Sequence, residues 1–128
     1  MNTVHIWQMD KFNPRGINLE FMYAPIRNTL IEGFKNLNVK IDVKNNCFKW
    51  ELLLEKDIFI WIGCTKGAKE KIPWIELKAR NVYTIYYQTE PSAKSYVNNN
   101  LCHEIWDYSF KNVQIIKSKY TFIVYTYI

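Results

Sequence analysis

The chain has 128 residues, the length of one globular domain and enough to bury a sizeable core. An apolar content of 48%, including 16% aromatic residues, argues against a disordered chain, and no segment approaches the roughly 18 apolar residues that cross a membrane. The formal net charge of +5 favours an anionic partner, but no nucleic-acid-binding motif accompanies it, so we expect no specific nucleic-acid ligand.

Strand and helix signals alternate through the first half of the chain. Thr3 to Met9 and Val39 to Val43 have the apolar alternation of strands, whereas Leu19 to Leu37 has apolar residues spaced by three and four, as in an amphipathic helix. Asn46 can cap a following helix, which we predict over residues 47 to 56.

The loop over residues 10 to 18 contains Asn13, Pro14, Arg15 and Gly16, which are typical of turns. In a doubly wound sheet the loop after the first strand lies at the ligand edge, so Arg15 and Gly16 are candidate substrate-binding residues. The loop lacks the GxGxxG fingerprint, and a plain connection is the alternative.

Residues 58 to 62 are wholly apolar and predict a strand buried on both faces. Gly63 follows it, where the absence of a side chain lets a backbone approach a ligand or simply allows a turn. A polar loop over residues 64 to 71 does not match a phosphate-binding loop, and a short helix over residues 74 to 80 follows Pro73.

Two apolar runs in the second half each end in a carboxylate. The first is a predicted strand from Val82 to Tyr87, followed by Gln88, Thr89 and Glu90 before the helix-starting Pro91. A carboxylate at the end of a strand suits a catalytic acid or base, so Glu90 is a candidate. The alternative is that Glu90 only complements the dipole of the following helix.

The second run is a predicted strand from Glu104 to Ser109, whose Asp107 is expected at the same edge as Glu90. The alternative is that Asp107 hydrogen-bonds loop amides, while Ser109 and Asn112 only fix the start of the next helix. Further helices are predicted over residues 92 to 101 and after Ser109, and a last strand over residues 120 to 128. This alternation predicts an α/β fold of three layers, with a mostly parallel sheet and helices on both faces.

Cys47, Cys64 and Cys102 are odd in number and far apart, and only two histidines accompany them, so neither a metal site nor a disulfide framework is expected. The amino terminus lacks the basic and apolar regions of a signal peptide. We therefore expect a soluble, cytoplasmic protein.

The run YTIYYQTEP together with EIWDYSFKN, preceded by IFIWIG and PWIELKARN, resembles the amino-terminal Rossmann-like half of GT-B glycosyltransferases. The group that it resembles is seen in bacterial and giant-virus sugar-transfer proteins, and the likeness covers residues 50 to 120. It implies that residues 1 to 128 form the acceptor-side half, with the donor-binding second domain absent from the chain.

In such an enzyme a nucleotide diphosphate is displaced by an acceptor hydroxyl, with Glu90 or Asp107 as the base or as a ligand of that hydroxyl. The resemblance implies no metal and no cofactor. The partners that it implies are a sugar or glycan acceptor and either a separate donor-binding subunit or a second copy of the chain. The expected substrate-binding residues are Arg15, Gly16, Gly63, Gln88, Thr89, Tyr108, Ser109 and Asn112.

Two other functions stay open on the sequence. The chain could be a truncated, non-catalytic interaction module that binds a protein or polysaccharide partner. A third reading, nucleotide or nucleic-acid binding at the carboxyl edge of the sheet, has only the net charge and the fold in its favour.

Overall fold

In the computed structural model, the described part of the chain comprises residues 2–9, 19–63, 71–89, 102–107 and 120–122. Six strands, two α-helices and one 3-10 helix lie in these ranges. In chain order they are β1 (Thr3–Gln8), α1 (Leu19–Lys35), β2 (Lys40–Asn45), the 3-10 helix (Trp50–Leu52), β3 (Ile58–Ile62), α2 (Trp74–Ala79), β4 (Tyr83–Tyr87), β5 (Glu104–Asp107) and β6 (Tyr120–Phe122).

The six strands form one sheet in the order β2-β1-β3-β4-β5-β6, and every neighbouring pair is parallel. The predicted α/β class with a mostly parallel sheet is therefore confirmed. The strand order reverses at β1, which pairs with β2 on one side and β3 on the other. In sheets of this order, ligands bind beyond the carboxyl ends of the strands, at the reversal point.

Each face of the sheet has its own hydrophobic cluster. Successive side chains of a strand point to opposite faces, so Val4 and Ile6 lie on one face and Trp7 on the other. Val4 and Ile6 pack with Tyr23 of α1. Trp7 packs in the second cluster, together with the α2 residues Trp74 and Leu77. Both faces of the central strands are consequently buried, as their continuous apolar sequences predict.

Aromatic rings fill the cluster on the α2 face. Trp7 stacks on Trp50 with ring centroids 5.8 Å apart, and its edge meets Phe59 at 5.4 Å. Phe59 in turn lies 5.9 Å from Trp74. Much of the high aromatic content of the chain therefore belongs to the core.

The predicted helix over residues 47 to 56 is wrong, because only the single turn Trp50–Leu52 is helical. Tertiary partners satisfy the backbone of this segment in place of helical hydrogen bonds. The guanidinium of Arg80 donates to the carbonyl oxygens of Trp50 and Leu53, and the Leu54 N–H donates to Asp57. With its backbone satisfied by these contacts, the segment does not need to be helical, and Trp50 packs against the core cluster.

Among the residues that the structure describes, no helix is both long enough and apolar enough to cross a bilayer.

Candidate functional site

Three predicted site residues lie in one row across the carboxyl edge of the sheet. Ile62 pairs with Tyr87, and Tyr87 pairs with Trp106, so the next register row contains Gly63, Gln88 and Asp107. Backbone hydrogen bonds extend the ladder into this row, from the Gly63 N–H to the Tyr87 oxygen (3.2 Å) and from the Gln88 N–H to the Trp106 oxygen (2.9 Å). Neighbouring positions in such a row are about 5 Å apart.

The polar side chains of this row are enclosed by the protein. Gln88 is 0% exposed and Asp107 is 1% exposed. Thr89, next along the chain, is partly exposed, but its Oγ1 is buried and has no hydrogen-bond partner within the described ranges. Leaving a hydroxyl buried without a hydrogen-bond partner costs free energy, and a ligand that supplies the hydrogen bond removes this cost.

Gly63 has a structural explanation. Its φ of +103° is one that residues with side chains rarely adopt. A Cβ atom at this position would lie 2.6 Å from Cζ of Tyr23, so the buried tyrosine ring occupies the space that a side chain would need. Of the two interpretations of Gly63, the turn with close packing accounts for the glycine without a ligand.

Six of the predicted site residues lie outside the described ranges, so their mutual geometry stays a prediction. The proposed opening shared by Glu90 and Asp107 is among these untested arrangements. The six residues are Arg15, Gly16, Glu90, Tyr108, Ser109 and Asn112.

A polar cluster missed by the sequence analysis involves β1, β2 and the residue before β3. His5 on β1 contacts a carboxylate with each ring nitrogen: Nδ1 is 2.7 Å from Asp42 Oδ2, and Nε2 is 2.7 Å from Asp57 Oδ2. Trp7 Nε1 donates to the same Asp42 oxygen at 2.9 Å. Asp57 also accepts the backbone N–H groups of Thr3 and Leu54, each at 3.0 Å.

Both carboxylates of this cluster are stabilised in the ionised form. Burial raises the pKa of Asp42 and of Asp57, but the hydrogen bonds from His5 and the other donors outweigh it and hold both pKa values below the ordinary 3.8. Each ring nitrogen of His5 lies 2.7 Å from a carboxylate oxygen, so both nitrogens are engaged within the protein. The cluster therefore serves to join β2, β1 and β3.

One sequence signal could have pointed to this cluster. His5 interrupts the apolar run Val4–Trp7, Asp42 interrupts a half-buried strand, and Asp57 directly precedes a wholly apolar one. A polar group in such a position is buried only with a partner. The identity of the partners depends on the strand order, which places three segments distant in sequence side by side.

A second polar cluster joins β4 to β5. Tyr83 Oη donates to Glu104 Oε2 at 2.6 Å, and this hydrogen bond raises the pKa of Tyr83 to about 12. The Tyr83 ring stacks on His103 with centroids 4.5 Å apart. The Thr84 N–H donates to His103 Nδ1 at 3.0 Å, so the neutral imidazole carries its proton on Nε2.

Acidification below pH 6.5 is expected to lower the free energy of unfolding through His103. Burial and the charge of Lys78 hold the pKa of His103 below its ordinary 6.5. The unfolded chain therefore takes up the proton first as the pH falls, and the stabilisation is lost progressively down to the folded pKa. Urea unfolding between pH 7 and pH 5 measures this loss, and His103→Gln should flatten the profile. Parallel profiles for the two proteins would contradict the assignment.

No group of three or more histidine, cysteine, aspartate or glutamate side chains within the described ranges is arranged to hold a metal ion. Comparisons with protein-family models, curated proteins and solved structures find no significant match to the chain. The resemblance to GT-B glycosyltransferases stays a prediction from the residues that carry it.

Proposed function

We propose that the carboxyl edge of the sheet binds a sugar or glycan acceptor, and that the chain acts as the acceptor-side half of a nucleotide-sugar-dependent glycosyl transfer enzyme. The observation that carries the proposal is the row of Gly63, Gln88 and Asp107 on three adjacent parallel strands. This is the edge where α/β domains bind ligands. The amide of Gln88 and the hydroxyl of Thr89 are of the types that both donate to and accept from sugar hydroxyls, and a carboxylate such as that of Asp107 accepts from them.

The roles of the two carboxylates differ in this proposal. Asp107 is buried, which favours a part in positioning the edge around the acceptor. Glu90 is the candidate base: its carboxylate takes the proton of the acceptor hydroxyl while the oxygen attacks the anomeric carbon and the nucleoside diphosphate leaves. The donor site lies outside this acceptor-side half.

Calorimetry against a panel of simple sugars, glycans and nucleotide sugars tests the proposal. Thr89→Val keeps the shape of the side chain and removes the hydroxyl, so we expect acceptor affinity to fall by about three- to tenfold. Glu90→Gln should lower acceptor affinity as well, and should abolish turnover when a donor-binding partner is present.

The matched control is Glu55→Gln, which removes one exposed carboxylate that lies before β3, at the opposite edge of the sheet. It should leave the acceptor affinity unchanged. Circular dichroism of each variant establishes that the fold is intact. Absence of binding to every sugar and glycan at millimolar concentration would refute the sugar site.

The burial of Asp107 also favours a second candidate, a non-catalytic interaction module for a polysaccharide or protein partner. An enclosed carboxylate that contacts its own chain fits a packing role better than proton transfer. The same calorimetry separates the two candidates. Glycan binding that is insensitive to Glu90→Gln, without transfer in the presence of any donor, would favour the module.

A further inference from the structure

A separate cavity lies beyond the carboxyl end of β2. Its volume is about 260 Å³. Asn46 lies at its rim with a φ of +56°, and the Asn46 N–H donates a 2.9 Å hydrogen bond to the Gln8 oxygen. The cavity is on the edge strand, three strands from Gln88 in the sheet order, or about 14 Å across the sheet. It is lined by Lys44, Asn46, Cys47, Phe48, Lys49 and Leu52.

The charge of this cavity is positive. None of the six lining side chains is acidic, and two are lysines, Lys44 and Lys49. A third ammonium group, Lys71 Nζ, lies 5.3 Å from the centroid of the Phe48 ring. The nearby carboxylate, Asp42, contacts Lys44 at 3.1 Å but also accepts hydrogen bonds from His5 and Trp7. The cavity therefore attracts anions.

An aromatic ring stands beside these cations. Phe48 is 37% exposed and Leu52 is 41% exposed, so both present apolar surface to solvent at the cavity. The edge-on contact between Phe48 and Trp50, with centroids 5.9 Å apart, holds the Phe48 ring against the core. An inorganic anion would leave this apolar surface unused, whereas a neutral sugar would leave the lysines unused. A planar base linked to a phosphate would use both the apolar surface and the lysine charges.

We propose that this cavity binds a nucleoside phosphate, with the phosphate oxygens at Lys44 and Lys49 and the base against Phe48. A second cavity, of about 240 Å³, shares Lys44 and Leu52 with the first, but the carboxylates of Asp42 and Asp57 also line it, so the phosphate belongs in the first cavity. The first cavity, of about 260 Å³, is close to the roughly 300 Å³ at which ligand pockets begin, and the partly exposed Phe48 ring extends its apolar surface for the base. This proposal is independent of the sugar site at β4 and β5.

Calorimetry with ADP and UDP at low and at physiological ionic strength tests the proposal, with pyrophosphate and adenosine as partial ligands. We expect the nucleotides to bind more tightly than pyrophosphate by about tenfold, since stacking on an aromatic side chain contributes a factor of this order. Adenosine should bind only weakly. Added salt should weaken nucleotide binding, because exposed charge contacts are screened.

Two substitutions divide the site into its parts, and a third serves as the control. Lys49→Gln should lower nucleotide affinity by about tenfold, while leaving the contacts of Asp42 with His5 and Lys44 in place. Lys35→Gln removes the same charge from an exposed position on α1 and should have no effect. Phe48→Leu should lower nucleotide affinity by about tenfold and leave pyrophosphate affinity unchanged.

Cys47 gives a local readout of occupancy because it lines the cavity and is partly exposed. Bound nucleotide should slow its alkylation, measured by peptide mapping. Cys102 is buried, and burial raises its pKa to about 11, so it serves as an unreactive internal reference.

Two results would overturn the proposal. The first is an absence of nucleotide binding at millimolar concentration. Nucleotide binding that Lys49→Gln does not weaken and that does not slow Cys47 alkylation would count in the same way. The second is pyrophosphate binding as tight as that of ADP and equally reduced by Phe48→Leu, which would remove the base from the site. Absence of binding to every sugar and glycan would refute the sugar site and leave this proposal untouched, so the two proposals fail separately.

Discussion

Replacement of Asp57 by alanine is expected to lower the free energy of unfolding by about 3 to 5 kcal/mol. The substitution takes the acceptor away from the N–H groups of Thr3 and Leu54, and it leaves the His5 ring with one carboxylate partner in place of two. His5 is buried, so water cannot replace the lost partner freely. Urea unfolding at pH 7 measures the change, which is a large part of the roughly 5 to 15 kcal/mol that stabilises a typical domain.

Glu55→Ala is the matched control, because it removes a carboxylate two residues away from an exposed position. It should change the free energy of unfolding by no more than about 0.5 kcal/mol. A double-mutant cycle with His5→Gln and Asp57→Asn should give a coupling energy of about 1 kcal/mol or more. Additive effects in that cycle would show that the 2.7 Å contact between His5 and Asp57 contributes no pairwise stabilisation.

Gly63→Ala is expected to lower the free energy of unfolding by about 2 to 5 kcal/mol, through two effects that add. Alanine is strained at a φ of +103°, and its Cβ would lie 2.6 Å from the ring of Tyr23. Tyr23 is buried in the cluster between α1 and the sheet, so its ring cannot move aside without disturbing that cluster. Thermal and urea unfolding measure the loss.

Gly33→Ala tests the same change where neither effect operates. Gly33 lies within α1, and a Cβ there would meet no heavy atom within 4 Å. Alanine is the better helix former, so this variant should be more stable by about 0.5 to 1 kcal/mol. Tyr23→Leu should make Gly63→Ala less costly by removing the clash. Equal effects of the alanine substitution at positions 33 and 63 would refute the explanation.

The fold was predictable where one local pattern dominated. The apolar run Ile58–Ile62 and the aromatic run Tyr83–Tyr87 predict strands buried on both faces, and both are central strands of the sheet. The segment over residues 47 to 56 was not predictable in this way. Its backbone partners, Arg80 and Asp57, come from outside the residues that looked helical.

The candidate site also has a part that the sequence predicts and a part that depends on long-range contacts. A shared edge for Gly63, Gln88 and Asp107 follows from parallel strands alone, and the register rows agree with it. The reason for glycine at position 63 depends on a tyrosine forty residues earlier. The cluster around His5 depends on the order β2-β1-β3. A single sequence contains little information about which distant residues make such contacts.

The parallel arrangement of the sheet also sets the order in which it can assemble. Parallel neighbours cannot be joined by a short hairpin, so each pairing closes a loop through a crossover segment. β1 gains its first partner only after residue 45 has been synthesised, and its second only after residue 62. Until then the Trp7 side chain lacks most of its packing partners. Folding of this chain should accordingly be slow and largely post-translational, because β3, β4 and β5 each gain a second neighbour only when the next strand along the chain has been made.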